Sequence, residues 1–195
     1  MTIAVPRREL NRVHTWEALH STASALVLAR GLADVTVDEI ADKANVSRRT
    51  FFNYFATKED AVLGTQPPSL SAEALEAFQA STDDLFGRVV RLMTAAVQSA
   101  FDDLAQFSTR RRLLKRNPEL RTRIEEHVRA AESLVQQQLT AIGVADDEDS
   151  RALLILAASV MRFAFAPRDD GSIDVSAQTI DSAIERFRHV MKEAL

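Results

Sequence analysis

Cysteine is absent from the 195-residue sequence, which excludes disulfide bonds, thiolate metal ligands and thiol redox sensors. A long hydrophobic run is also missing, since the longest nearly unbroken apolar stretch, 152–161, stops at Arg162 and covers about half of a bilayer span. The arginines near the N-terminus are not followed by the apolar run that a secretory signal requires. The sequence therefore predicts a cytoplasmic protein with no membrane segment.

Glycine and proline are scarce, with five residues of each, and no stretch of alternating β-branched residues is long enough to predict a strand. Helix-forming residues fill the intervals between these breaks. With 46% hydrophobic and 27% charged residues, the composition is that of a packed protein rather than a disordered one. We therefore predict an all-α fold of about nine helices.

Residues that support catalysis or metal binding do not occur in suitable patterns. The four histidines lack the spacings of metal-binding motifs; they are His14, His20, His127 and His189. The acidic run 146–149 lacks the glycine and the following glutamate of a calcium loop, and a helix N-terminus explains it better. No hydroxyl residue has a histidine and an acid arranged near it. We therefore expect no catalytic site, no metal and no cofactor.

Capping residues divide the sequence into helices. Thr36, with Glu39 three residues later, has the pattern of a capping box that starts a short helix. Asn45 can adopt the left-handed backbone of a turn, after which Ser47 and Thr57 can cap two further helices. The predicted helices are 12–30, 37–44, 48–55, 58–63, 72–78, 82–105, 118–141, 146–166 and 175–192.

Glycine, asparagine and proline mark the ends of the longer segments. Gly31 is placed to end the first helix, and Asn117, which precedes a proline and a glutamate, is placed to cap the helix that follows it. The segment 64–69 contains one glycine and two prolines and cannot continue a helix. It predicts a boundary between a three-helix helix-turn-helix domain, 1–64, and a larger helical domain, 65–195.

The formal net charge is −4, which by itself argues against nucleic acid as a partner. Residues 1–60 hold eight basic and eight acidic residues, so the acidic excess lies outside the N-terminal part. The segment 45–58 contains Arg48, Arg49 and Lys58 and no acidic residue. This segment can face phosphate.

The third predicted helix sorts its side chains by face, at about 100° per residue. The apolar arc, which is expected to anchor the helix, contains Phe51, Phe52 and Phe55. The arc opposite, which is expected to face outward, contains Arg49, Thr50, Asn53 and Tyr54. Arg48 stands at the edge of the apolar side, but from the first turn it can still extend into a groove. Because arginine matches the guanine edge and asparagine the adenine edge, this helix is predicted to read the major groove of DNA.

Neighbouring groups are expected to fix the position of the protein on DNA. Thr36, the Tyr54 hydroxyl and Lys58 can donate to phosphates, and the helix N-terminus at Ser47 adds its dipole. The predicted DNA-binding residues are Thr36, Ser47, Arg48, Arg49, Thr50, Asn53, Tyr54 and Lys58.

This N-terminal segment resembles the TetR family of transcriptional regulators. The likeness runs in order and spacing through 19–31, 35–41 and 44–59, and it ends on the Tyr-Phe-x-x-Lys pattern of 54–58. Asn45 and Arg49 stand where the family often has glycine, and Arg49 is thus a candidate for individual sequence preference. Phe52 occupies a place often held by tyrosine, so the phosphate contact of that hydroxyl is expected to be absent.

The resemblance implies a homodimer that binds a palindromic operator in double-stranded DNA, with the two recognition helices about 34 to 36 Å apart. It also implies that 65–195 binds a small-molecule effector and dimerises. Only an effector with unequal affinity for two spacings of these helices can release a repressor. The last two helices resemble the dimer surface of the family, through 152–161 and the apolar residues Ile173, Ile180, Ile184, Phe187, Val190 and Met191. Packing within the core of a single chain is the alternative.

Apolar and aromatic residues of the C-terminal part are available to line a cavity, which suggests a hydrophobic effector. They are Phe86, Met93, Phe101, Met161 and Phe165. Ordinary core packing is the alternative for most of them.

The densest basic cluster in the chain is 110–116, which contains Arg110, Arg111, Arg112, Lys115 and Arg116. One interpretation is a solvated helix end paired with nearby glutamates. A second nucleic-acid surface and a pocket arginine for an anionic effector are the alternatives.

Three classes of function compete at this point. The first is a DNA-binding repressor, with activation as a variant. The second is a helical ligand- or protein-binding module that has kept the fold without an operator. The third is an all-α enzyme, which the missing acid/base and metal patterns disfavour.

Overall fold

The computed structural model of the chain describes residues 7–101, 107–143, 147–166 and 176–193. Within these residues the structure is all-α, as predicted, with ten helices in place of about nine. The helices are α1 (Arg7–Arg30), α2 (Val37–Lys43), α3 (Arg48–Tyr54), α4 (Lys58–Leu63), α5 (Ala72–Ala80), α6 (Leu85–Ser99), α7 (Phe107–Arg116), α8 (Leu120–Ala141), α9 (Asp147–Ala164) and α10 (Ala177–Glu193). The additional helix is α7, which was not predicted because its many charged residues obscure the helical spacing of its few apolar ones.

The chain divides into two compact units. Unit 1 combines Met1–Gln66 with Phe101–Glu126, and unit 2 combines Pro67–Ala100 with His127–Leu195. Both units are discontinuous in sequence, and α8 contributes its first turns to unit 1 and the remainder to unit 2. The division of function at residue 64 stays a prediction.

Side-chain caps start the short helices of unit 1, as the sequence predicts. The hydroxyls of Thr36, Ser47 and Thr57 each accept a hydrogen bond from a backbone N–H three residues ahead, at 3.2, 3.0 and 3.1 Å. Asn45 has a φ of 55° and forms the left-handed turn between α2 and α3. These local contacts fix where α3 begins.

The predicted capping box at Thr36 forms only in part. The Glu39 carboxylate, which was expected to bond back to the cap, accepts a hydrogen bond from Arg30 at 2.5 Å and lies 3.6 Å from Lys43. The hydrogen bond from Arg30 lowers the pKa of Glu39. The ion pair with Arg30 forms in place of the capping hydrogen bond, because Arg30, at the end of α1, lies close to the first turn of α2.

A close approach between α1 and α4 requires glycine at position 64. Gly64 ends α4 with a φ of 64°, in the left-handed region. A Cβ at this position would lie 2.9 Å from the ring of His20 in α1. The ring is buried, and its Nδ1 lies 2.7 Å from the carbonyl oxygen of Ala61.

The core of unit 1 joins α1 to α4 with α7 and the start of α8. Its largest fully buried residues are Leu19, Val27, Val35, Ile40, Phe51, Phe55, Leu63, Leu113 and Leu120. Each such side chain contributes about 1.5 to 3 kcal/mol through burial. The short helix α3 therefore rests on a packed platform.

Asn117 does not cap α8, in contrast to the prediction. Its Oδ1 accepts a hydrogen bond from the backbone N–H of Leu32 at 2.9 Å, and its Nδ2 donates to the Leu113 carbonyl at 3.1 Å. The helix begins only at Leu120, after a turn. The buried amide thus satisfies the start of the α1–α2 loop, a partner that is distant in sequence.

Unit 2 is built on α6, α9 and α10, with α5 packed on α6. At one edge, Arg188 of α10 donates to the carboxylates of Asp83 and Asp84, both at 2.6 Å. Arg91 of α6 donates to Asp83 at 2.5 Å. The hydrogen bond from Arg91 lowers the pKa of Asp83, and that from Arg188 lowers the pKa of Asp84.

Candidate nucleic-acid interface

Helix α3 is anchored by two phenylalanines one turn apart. Phe51 and Phe55 are buried, and the ring of Phe55 lies 5.6 Å from that of Trp16 in α1. The predicted anchoring role of these two residues is confirmed. Because both lie on one side of the helix, the opposite side turns away from the core.

The outward face of α3 consists of its exposed residues, Arg48, Arg49, Phe52 and Asn53. At 100° per residue they occupy one arc of about 140°. Two guanidinium groups and one amide, which are donors and acceptors suited to base edges, share this arc.

The outward face is rotated about the axis of α3 relative to the predicted face, and the prediction for Phe52 was wrong. Phe52 was expected to anchor α3, yet its side chain is 46% exposed. Thr50 and Tyr54 were expected to face outward, but both are half-buried, and Tyr54 packs against the core of unit 1. Phe51 and Phe55 are the two phenylalanines of this segment that belong to the core of unit 1. Periodicity alone could not choose which two of three phenylalanines pack inward.

Arg48 is held in place on this face. Its guanidinium donates to Asp38 of α2 at 2.6 Å, and its Cζ lies 5.3 Å from the centre of the Phe52 ring. Arg48 and Asp38 are both exposed, so solvent screens the pair and it contributes little to stability. No sequence pattern indicated this partner, which lies ten residues away in the neighbouring helix.

Lys58 is engaged within unit 1. Its ammonium donates to the carbonyl oxygens of Leu32 and Val35, at 2.6 and 2.8 Å, and so closes the α1–α2 loop over the start of α4. These two bonds leave one of the three ammonium donors for a phosphate. The predicted phosphate contact stays a prediction, and the structural role of Lys58 is one that the sequence did not reveal.

The remaining predicted positioning residues lie near α3. Thr36 and Ser47 are exposed caps whose hydroxyl oxygens accept from backbone N–H groups, so each hydroxyl retains a hydrogen that can be donated elsewhere. The Ser47 and Thr50 hydroxyls also lie 2.8 Å apart. The predicted DNA contacts of these residues are untested by the fold.

The basic cluster 110–116 lies on α7 and divides by burial. Arg110 is buried, donates from Nε to the Leu63 carbonyl at 3.1 Å, and covers the ring of Phe101 at 4.9 Å. It is therefore a structural residue of unit 1, and the interpretation of the whole cluster as a solvated helix end is wrong at this position. Glu126, one of the glutamates near this cluster in the sequence, pairs with Arg123 at 2.6 Å.

The five residues predicted to line an effector pocket are distributed over the two units. Met93 and Met161 are buried in unit 2, where Phe86 and Phe165 are half-buried. Phe101 belongs to unit 1 and lies beneath Arg110. The cleft of about 690 Å³ between α5 and α6 is lined by other residues, among them Phe78, Arg88 and Leu92. An effector site in unit 2 stays a prediction.

The apolar residues of α9 and α10 differ in how deeply they are buried. Ile180 and Ile184 are buried within unit 2, so they belong to its core rather than to an exposed surface. Three other apolar residues remain outward, Ile155 at 59%, Phe163 at 56% and Val190 at 54% exposure. The rings of Phe163 and Phe187 contact each other edge to face at 5.8 Å. Ile173 lies outside the described residues.

No group of three or more potential metal ligands occurs in the part of the chain that the structure describes. Across the same residues, no helix is both long and apolar enough to cross a membrane.

Comparison with known proteins identifies the N-terminal segment. Residues 19–63 match the family model described as bacterial regulatory proteins, tetR family. This match spans α2, α3 and α4 and the second half of α1, and it confirms the resemblance that the sequence indicated. No curated protein matches the chain.

Three solved structures are similar at low identity. A Clostridium perfringens protein described as a regulator of fatty acid metabolism is 20% identical over 86% of this chain and 94% of that chain, with a TM-score of 0.35. The superantigen PfiT is 18% identical over 88% and 95%, with a TM-score of 0.36. A TetR family transcription regulator from Marinobacter aquaeolei VT8 is 16% identical over 91% and 97%, with a TM-score of 0.31. These TM-scores are too low to bear on how the helices are arranged.

Proposed function

We propose that this chain, whose residues 19–63 form the helix-turn-helix segment of the tetR family, is a ligand-responsive DNA-binding transcription regulator. It acts as a repressor that holds a palindromic operator as a homodimer and leaves it when a small hydrophobic molecule binds the C-terminal part. The observation that carries this proposal is the outward face of α3, which presents Arg48, Arg49 and Asn53 to solvent.

The chemistry of this face suits base edges in the major groove. A guanidinium can donate two parallel hydrogen bonds to the O6 and N7 of guanine, and an amide can pair with the N6 and N7 of adenine. Arg49 is exposed, and Asn53, one turn later, projects from the same side. These two residues are therefore proposed to read sequence directly.

The surroundings of α3 support phosphate contacts. The segment 45–58 carries three basic residues and no acid, so its field attracts the DNA backbone despite the negative total charge. The N-terminus of α3 and the exposed caps Thr36 and Ser47 offer further donors. Asp38 opposes this attraction locally, because it holds Arg48 at 2.6 Å.

Dimerisation is proposed to use the outward apolar residues of α9 and α10. Ile155, Phe163 and Val190 are all more than half exposed, and isolated apolar side chains of this size gain about 1.5 to 3 kcal/mol each when fully buried. Two copies related by a two-fold axis bury the same patch on both sides. A dimer then places two copies of α3 on one palindrome.

The effector is proposed to bind within unit 2, whose core residues are mainly apolar. A ligand that binds one conformation of the dimer more tightly than another shifts the population toward the conformation that releases DNA. The alternative, a helical ligand-binding module without an operator, makes no use of the exposed basic face.

The test is a mobility shift at moderate salt on the DNA that flanks the gene for this chain. Wild type is compared with the double variant Arg48→Ala/Arg49→Ala, and each substitution is expected to weaken binding by about 1 to 3 kcal/mol. The matched control is Arg112→Ala/Arg116→Ala, which removes the same charge from exposed positions of α7. Equal affinity of wild type and the Arg48/Arg49 variant contradicts the proposal, whereas loss in the α7 variant alone points to a second nucleic-acid surface.

A further inference from the structure

Phe52 occupies the middle of the outward face of α3. It projects between Arg48 and Arg49, about 40° from the first and about 60° from the second around the helix axis. Its side chain is 46% exposed, although it is a large apolar residue between two charged ones. A surface that both arginines contact would also lie next to this ring.

The Phe52 ring is fixed from two sides. It meets the buried ring of Phe51 edge to face, at 5.3 Å and an interplanar angle of 83°. The guanidinium of Arg48 lies 5.3 Å from its centre, and Asp38 in turn holds that guanidinium. Because the ring is already ordered in the free protein, binding through it costs little side-chain entropy.

The exposed part of this ring is wholly apolar, so it cannot donate to a phosphate. In the major groove the apolar feature of the base edges is the 5-methyl group of thymine, and phenylalanine is one of the side chains that contact it. Guanine and adenine present only hydrogen-bonding atoms at the corresponding edge.

We propose that Phe52 is a specificity-determining residue that contacts the 5-methyl group of one thymine in each operator half-site. This inference rests on the proposed function and adds to it an apolar contact beside the hydrogen bonds of Arg49 and Asn53.

The experiment starts from a duplex enriched from a randomised DNA pool by the full-length protein. Each symmetry-related pair of thymines is then replaced by uracil, which removes only the methyl group. At one pair the wild-type affinity is expected to fall about fourfold per half-site, or about 15-fold for both, from the burial of one methyl-sized group. Phe52→Ala is expected to bind the thymine duplex less tightly than wild type does, by at least the same factor. This variant is also expected to bind the uracil duplex with the same affinity as the thymine duplex.

The outcomes separate the two proposals. Ile142→Ala, at a similarly exposed apolar position in unit 2, is the matched control and is expected to keep the thymine preference. A uracil scan that is flat for wild type overturns the inference even if Phe52→Ala is unstable, and it leaves the proposed function intact when binding still depends on Arg48 and Arg49. If no duplex is enriched, both proposals fail.

Discussion

Both carboxylate oxygens of Asp60 in α4 accept hydrogen bonds from Arg123 in α8, at 2.8 and 2.7 Å. Asp60 is buried, and the hydroxyls of Thr57 and Thr65 donate to the same carboxylate at 2.8 and 3.0 Å. The hydrogen bonds that Arg123 donates to Asp60 raise the pKa of Arg123 above its usual range. This group of four side chains holds α4 against the first turn of α8 within unit 1.

Removing the charge of Asp60 is expected to destabilise unit 1. Asp60→Asn replaces the buried carboxylate that accepts two hydrogen bonds from Arg123 with a neutral amide, a change that lowers the free energy of unfolding by about 3 kcal/mol. Glu126→Gln is the matched control, because its carboxylate also pairs with Arg123 but is 44% exposed. A loss below about 1 kcal/mol is expected there. Urea unfolding followed by circular dichroism measures both values, and equal losses would contradict the structural role of Asp60.

Lys58→Met is expected to loosen the α1–α2 loop. The substitution removes two charge-assisted hydrogen bonds to the carbonyls of Leu32 and Val35, and the expected loss is about 1 to 2 kcal/mol in the free energy of unfolding. Lys43→Met is the control, because that lysine is exposed and its ion pair with Glu39 is long, at 3.6 Å. Its loss is expected to be a few tenths of a kcal/mol. Amide exchange at residues 32–36 locates the effect, and unchanged protection there argues against it.

Asp38→Asn is expected to strengthen DNA binding. The aspartate holds Arg48 at 2.6 Å on the outward face of α3, and its negative charge repels phosphate. We expect affinity to rise on all sequences at low salt and the difference to shrink as salt increases. Asp42→Asn, an exposed position in the same helix, controls for a general change in charge. An equal gain from both variants would mean that the Arg48 pair is irrelevant to binding.

Phe163→Asp is expected to shift the protein from dimer to monomer. The side chain is 56% exposed on α9, and burying a carboxylate in an apolar interface without a partner is strongly unfavourable. Sedimentation measures the shift, and operator affinity should fall with it. Ile142→Asp, at the end of α8 and 41% exposed, is expected to leave the assembly unchanged. A Phe163→Asp protein that sediments as wild type does would remove this face from the interface.

Stability is expected to fall with acid through Asp83 and Asp84. Arginine hydrogen bonds lower the pKa of both carboxyls, so their stabilisation is present above the ordinary aspartate pKa of about 3.9 and is lost as the pH falls through the folded-state values. Arg91, Arg188, Asp181 and Glu185 are the other charged groups of this edge. Arg188→Gln should reduce the difference in urea midpoint between about pH 6 and pH 3, while Arg186→Gln on the same helix should not. An unaltered pH profile in Arg188→Gln would refute this linkage.

The features that the sequence predicted correctly are those that local chemistry decides. Thr36, Ser47 and Thr57 cap their helices because the acceptor and the free N–H lie three residues apart in the chain. Asn45 takes the left-handed turn for an equally local reason. The motif around α3 was recognisable because such short-range requirements constrain residue type at fixed spacing.

The features that the sequence did not reveal depend on partners far along the chain. Asn117 could be read as a cap, but its acceptor is engaged by Leu32, which lies 85 residues earlier. Phe52 could be read as an anchor, because the helical period alone does not show that Phe51 and Phe55 enter the core of unit 1 while Phe52 stays exposed. Arg110 could be read as a solvated charge, because its carbonyl partner lies 47 residues away.

Gly64 and His20 form a pair in which neither position can vary alone. A side chain at 64 meets both a left-handed backbone and an imidazole 2.9 Å away, so a smaller residue at position 20 would relieve the contact but not the backbone strain. That smaller residue, in turn, would leave the Ala61 carbonyl without its neighbour and open a void beside α4. Related sequences should therefore show covariation at these two sites, with the histidine lost only where the backbone at 64 has also changed.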